Sequence, residues 1–431
     1  MSLYFRACGR VRRFPAVTVL AYIVAANPLL AWAQAPSSAV STAVTRSAVA
    51  ALTLTDAFRL ALAQQPWVAS TAERQREQQA RETVAAAWFA DAPTVASALK
   101  VGSRDNLREL EIEISAPIAS ASRRSAQVAT ARSEVAAYVA NVAQQTLKLA
   151  NEVRESYWAV QLAASELMLT DDEVARAEQL VQDSARRTAA GDSARVDTLQ
   201  ARAALQIARS NRAETEQRVS SARQTLRGLV GDAAIRPLAE MPESSPNSAD
   251  TLRTEHPTLR GAEQSVLLAR AKLNEASTLV NAPPTVSLTL GNERTNNNGS
   301  SASSTVARIG VSLPFGGAQR ASPRIAQASA ELTAAQSHER LARRQLIAEI
   351  DSAKAALAAS ERRIAILAER AALATEVASL YAKAFRLGEL DLPTRLRAEG
   401  ERATATLALT RARIERHAAI SRANQSLGLL P

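Results

Sequence analysis

Three glutamates, Glu109, Glu111 and Glu113, alternate with Leu110, Ile112 and Ile114 in a stretch bounded by Pro93 and Pro117. Side chains two apart share one face of a strand, so the carboxylates line a single surface, read either as a field that favours cations or simply as a face kept soluble by charge. Lys100 and Arg308, on the polar faces of other strands, partly offset that charge. This is electrostatics rather than bond making. His256, His338 and His417 are scattered, and the only cysteine, Cys8, lies near the amino terminus, so no metal-ligand cluster and no His-centred constellation forms. There is no Gly-rich phosphate loop and no nucleophile elbow. The expectation is a protein that is not an enzyme and holds no metal and no cofactor.

The carboxylates belong to a β-hairpin over 94–116, with 102–106 as its turn and Val95, Leu99 and Val101 sharing the apolar face. A second hairpin is expected over 285–313. Its apolar set is Val286, Leu288 and Leu290 followed by Ala307, Ile309, Val311 and Leu313, and its polar loop runs from Asn292 to Ser303.

Each hairpin is followed by a long helix. Val153, Val160, Leu167, Val174 and Val181 are one heptad apart, the stripe of a coiled-coil seam. Val128, Val135, Val142 and Leu149 carry the stripe upstream, joined by a four-residue stutter. No proline or glycine interrupts from 118 to 188, so at about 1.5 Å per residue the rod is on the order of 100 Å long. Adding 197 gives Ile350, Leu357, Ile364, Ala371 and Ala378, and the same offset carries Glu134 to Glu331 and Gly191 to Gly388. An offset of 191 relates Pro66 to Pro257 and Pro93 to Pro284. The chain is therefore a tandem duplication. Each half reads helix, hairpin, long helix, tip and return helix, the last over about 193–229 and 393–427. Thr55 is a candidate N-cap for the opening helix, and a further helix is expected from Trp67 to Phe89. The repeats occupy 52–231 and 251–431. Between them 232–250, with Pro237, Pro242 and Pro246, reads as an exposed linker.

Residues 1–33 read as a secretory signal: Arg6, Arg10, Arg12 and Arg13, then an apolar run, then Ala31-Trp32-Ala33. A membrane anchor is the other reading, opposed by Asn27-Pro28 and the small-residue site. Residues 34–51 form a Ser/Ala/Thr-rich flexible segment. Loss of the four signal arginines would take the net charge from +10 to +6. Because Arg and Glu are interleaved along helices, as in Ser360-Glu361-Arg362-Arg363, solvated helix faces explain the basic balance better than a nucleic-acid surface.

Two hairpins supply four strands, too few to close a barrel, and an apolar outer face would be left bare. Several copies can close such a sheet, and apolar-out, polar-in strands of about ten residues suit an outer membrane. Trp88, Phe89 and Phe315 stand where helix meets strand, at the level of a lipid interface. A soluble capping sheet is the competing reading.

The opening Leu52-Thr-Leu-Thr-Asp-Ala-Phe-Arg-Leu-Ala-Leu-Ala-Gln-Gln-Pro66, the turns Ala92-Pro-Thr-Val95 and Pro283-Pro-Thr-Val286, and the strand exits Ser115-Ala-Pro-Ile118 and Ser312-Leu-Pro-Phe315 resemble the TolC-type outer membrane factor family. So do the tips from Gly191 to Ala201 and from Tyr381 to Asp391. The build is most like the cobalt-zinc-cadmium efflux branch. The resemblance implies a mainly α fold and a homotrimer with a 12-stranded outer membrane barrel continued by a periplasmic α-barrel. It implies a passive exit duct docked on a periplasmic adaptor and an inner-membrane pump, expected here to be of RND type and to export heavy-metal cations. Drug, dye or type I secretion ducts share the same plan. The family's moving periplasmic gate is matched by Asp197 in the first half, whereas the second half has Thr394 there, so the paired acidic ring is not reproduced. Adaptor contact falls on Arg186, Arg187, Gly191, Arg386, Leu387 and Gly388, the glycines also serving as helix-ending left-handed residues. Glu109, Glu111, Glu113 and Arg308 would face the lumen. The rival of another class is a soluble periplasmic coiled-coil scaffold or adaptor.

Overall fold

The computed structural model describes residues 51–102, 108–246, 255–297 and 300–431. The signal sequence, nearly all of the 34–51 segment, most of the first hairpin turn and the end of the linker lie outside the described residues.

In chain order the elements are helices α1 (Leu54–Ala63), α2 (Pro66–Ala69) and α3 (Thr71–Ala85), then strands β1 (Thr94–Val101) and β2 (Arg108–Pro117). Helices α4 (Ala121–Ala190) and α5 (Arg195–Val230) complete the first half. The second half comprises α6 (Pro257–Thr278), β3 (Thr285–Asn297), β4 (Ser300–Ser312), α7 (Ala318–Leu387) and α8 (Leu392–Ser426). Both long helices have 70 residues, and their ends are related by the 197-residue offset.

Local chemistry sets the boundaries. The cap of α1 is Thr53 rather than Thr55: its side chain accepts from the Asp56 amide at 3.1 Å, which places Thr55 inside the first turn. The helix expected over 67–89 breaks at Ser70 and ends at Ala85. Ser120 caps α4 by accepting from the Arg123 amide. Gly191 and Gly388, at φ 84° and 82°, end α4 and α7. In each case the next amide reaches back, Asp192 to the Arg187 carbonyl and Glu389 to that of Ala384. A side chain at either glycine would strain this left-handed turn.

The largest apolar core sits part-way along the long helices. Leu149, Val153, Tyr157, Trp158 and Val160 of α4 meet Leu52, Leu54 and Phe58 at the start, Leu226 and Val230 of α5, and Ile414 of α8. The stutter falls inside this core, where Leu149, Ala150 and Val153 are all buried. Towards the tip Leu167, Val174 and Val181 are only half-buried, as expected of a two-helix seam without a third layer.

The 232–250 linker is not free. Leu52 pairs with Leu238 in a parallel bridge, the buried Tyr157 hydroxyl lies 3.0 Å from the Leu52 carbonyl and 2.5 Å from that of Ala239, and Gln161 donates to Ala239 as well. Arg154, 2 % exposed, grips Glu243 with two hydrogen bonds of 3.0 and 2.6 Å. It also donates to Gln425 and to the Leu429 carbonyl. Prolines signal a break in helix, but they do not reveal that the freed backbone groups will find partners across the core.

The four strands form one antiparallel sheet in the order β1-β2-β3-β4. The Asn292–Ser303 loop is mostly strand: β3 continues to Asn297 and β4 starts at Ser300, so the extra residues of the second hairpin lengthen the ribbon. Neighbouring helices follow the same open plan. Among the described elements, contacts run α5, α4, α8, α7 on the tip side of the core and α3, α4, α6, α7 on the sheet side, so each layer ends in two free edges.

Candidate functional site

The sheet has two chemically distinct faces. Register places Leu99 beside Leu110, Val95 beside Ile114, Ile112 beside Leu290, and Leu288 beside Ile309. All belong to one face, on which Ser97, beside Ile112, is the polar residue away from the rims. The opposite face carries Glu109, Glu111 and Glu113, with Ala96 and Ala98 on one side and Thr289 and Gly291 on the other.

The apolar face is the more exposed one. Along β2 the glutamates are half-buried, while Leu110, Ile112 and Ile114 are 48, 43 and 49 % exposed. Ile309 reaches 77 % and Val95 72 %. A sheet bathed only in water buries its apolar side, so this one is built for a nonaqueous neighbour.

On the polar face Lys100 pairs with Glu109 at 3.1 Å. Arg308 stands opposite Thr289, two strands from Glu113, and among the described residues has no ion pair. Sequence reading missed Glu293, the cross-strand partner of Glu109, because it fell within the supposed loop; the alternation Ser287, Thr289, Gly291, Glu293 was the available signal. Among described residues this face thus holds four carboxylates against two cations.

Where sheet meets helices, Trp88, Phe89 and Phe315 are 71, 47 and 94 % exposed, and the Arg124 guanidinium lies 4.3 Å from the Trp88 ring centre. These rings rim the end of the apolar face nearest the helices.

The far ends of the long helices form the second candidate region. Arg187 donates to the Phe385 carbonyl at 2.6 Å and stacks on the Phe385 ring, which Arg395 covers too. Burial pushes the Arg395 guanidinium below its ordinary value, with Glu399 and Asp183 opposing. A cleft between the two tips is bordered by Arg187, Asp192, Asp197, Gly388 and Asp391. Asp197 lies half-buried in the first turn of α5. Arg186 is exposed and paired with Asp183 at 2.6 Å; Arg386 and Leu387 point outward, Leu387 74 % exposed. The expected tip residues therefore share one end of the molecule, but Arg187 is engaged internally. Phe385, the ring that clamps the two tips, was missed. Its sequence signal is slight, one aromatic three residues before a glycine.

Among the described residues no three His, Cys, Asp or Glu side chains converge as a metal site, and no helix is long and apolar enough to cross a membrane.

Comparison with known proteins bears on this fold. Residues 57–232 match the outer membrane efflux protein family. The chain has the fold of outer membrane channel proteins. It is similar to the outer membrane protein VceC of Vibrio cholerae, with 17 % identity, TM-score 0.70 and 87 % of this chain covering 96 % of that one. It is similar to the outer membrane channel CmeC of Campylobacter jejuni, with 14 % identity, TM-score 0.68 and coverage of 87 and 85 %. It is also similar to CusC, with 16 % identity, TM-score 0.67 and coverage of 87 and 92 %. No curated protein sequence matches the chain.

Proposed function

We propose that the chain is the outer membrane exit duct of a tripartite efflux system, in which three copies close a 12-stranded barrel and a helical barrel beneath it. The carrying observation is that, among the described residues, each layer stops at two unsatisfied edges. β1 and β4 each have one unpaired side, and α5 and α7 each have a free flank. On α7 that flank carries Ile366, Leu373 and Leu380, one heptad apart and 68, 58 and 52 % exposed. On α5 Val196, Leu199 and Ile207 are exposed as well. A heptad stripe open to solvent is a coiled-coil seam awaiting its partner, supplied here by the α5 flank of the next copy.

In such a tube the exposed apolar strand face meets lipid and the Glu109, Glu111, Glu113 and Glu293 face lines the lumen, with Arg308. The duct has no catalytic role. The tip, with Arg186, Arg386, Leu387 and the turns at Gly191 and Gly388, docks on a periplasmic adaptor that holds an inner-membrane pump of RND type. Asp197, in the cleft between the tips, belongs to the gate, and the Arg187 contact to Phe385 keeps the two hairpins together.

The cargo we propose is heavy-metal cations. The lumenal excess of carboxylates supports this reading; a duct of the same fold suits drug or dye export equally. Deleting the gene and comparing tolerance of zinc, cobalt and cadmium with tolerance of dyes and detergents decides between them. Loss of metal tolerance is expected, and unchanged metal tolerance with lost dye tolerance would overturn the metal assignment.

A further inference from the structure

At the sheet end away from the helices, β2 and β3 place Arg108 and Arg294 directly opposite one another. Both lie on the face of Leu110, Ile112 and Ile114, whereas their neighbours Glu109 and Glu293 point to the other side. Both are exposed, and among the described residues no carboxylate pairs with either. Like charges facing each other across a strand pair are unfavourable unless an anion lies between them.

Their depth specifies which anion. Eight residues separate this pair from the Ala116 and Val286 pair, the last one on this face before the helices. At about 3.3 Å per residue and a strand tilt near 40°, the rise is roughly 20 Å, close to the height of an outer-membrane apolar band. The exposed rings of Trp88, Phe89 and Phe315 mark the lower rim. Polarity rises towards the upper one, where Asn292, beside Leu110, donates to Thr305 at 3.0 Å before the arginines are reached. Two guanidinium forks at headgroup height match a phosphate far better than they match water.

We propose that Arg108 and Arg294 together bind the anionic phosphate headgroup of a lipid in the leaflet remote from the helices. This inference rests on the membrane reading given above. It fixes the depth of the barrel by charge at one rim and by aromatic rings at the other.

The test uses the full chain in phosphatidylcholine vesicles with and without phosphatidylglycerol. Flotation reports insertion, and native mass spectrometry of detergent-released protein reports the lipid retained. Wild type should float with both vesicles and retain phosphatidylglycerol over phosphatidylcholine by roughly tenfold. The Arg108→Gln/Arg294→Gln pair should float equally and lose that preference, while Arg108→Lys/Arg294→Lys should keep part of it. Undiminished retention by the glutamine variant overturns the proposal. So does complete displacement of the lipid by inorganic phosphate, which would mark a site for free anions. Failure of wild type to float with either vesicle would sink the membrane reading itself, and this proposal with it.

Discussion

Arg154 joins three segments that are remote in sequence: the long helix α4, the linker through Glu243, and the carboxyl terminus through Gln425 and Leu429. With the guanidinium 2 % exposed, its removal strands Glu243, itself 12 % exposed, without a partner. Breaking such a buried pair costs about 3–5 kcal/mol. Arg154→Ala should therefore lower the thermal midpoint markedly, and Glu243→Ala added to it should cost little more; additive losses would show that the pair is not one unit. Two histidines act at the same scale. His256 caps α6 by accepting from the Thr258 amide, and His417 packs on Trp158 with ring centres 5.4 Å apart. Burial pushes both imidazoles below their ordinary value; beside His417 Arg416 adds to the effect and Glu240 opposes it. The unfolded chain takes up these protons from about pH 6.5 downward, and the folded chain resists them. Their contribution is thus full above that value and is lost as pH falls below it. The thermal midpoint should drop between pH 7 and 5, and His417→Gln should flatten the drop; an unchanged slope would show that other groups carry it.

Among the elements, periodicity made the hairpins and rods legible because it reports which face is buried, and the 197-residue offset carried one helix boundary onto the other. What it could not report was partner choice. Residues 292–297 and 300–303 have loop composition but lie against a β partner, and backbone pairing in a sheet tolerates serine, threonine and asparagine. Thr53 and Thr55 are equivalent as cap candidates until the Asp56 amide selects one. The linker's docking depends on carbonyls, which sequence patterns do not encode. Of the site, the carboxylate stripe was legible from alternation alone, whereas Glu293 and Phe385 needed the cross-strand register and the contact between tips. The two sheet faces give opposite expectations. Ile112→Arg, at the centre of the apolar face, should cost roughly 2–4 kcal/mol of insertion free energy and deplete the protein from outer membranes. Glu111→Gln should leave insertion intact and lower cation preference in bilayer conductance. Equal effects from both would deny that the faces differ in environment.

At the scale of the whole molecule, the proposed tube gives the open edges of sheet and helices their partners in neighbouring copies. Ile366, Leu373 and Leu380 on the α7 flank are 68, 58 and 52 % exposed, so Leu373→Glu should leave helix content and the folded protomer largely unaltered while abolishing association. Trimers persisting at wild-type stability would show that this stripe faces the lumen or solvent instead. The mass of the particle purified from outer membranes in mild detergent tests the shared tube most directly. Three chains per particle, soluble only with detergent, is the predicted result; a single chain that remains stable and soluble without detergent would contradict it.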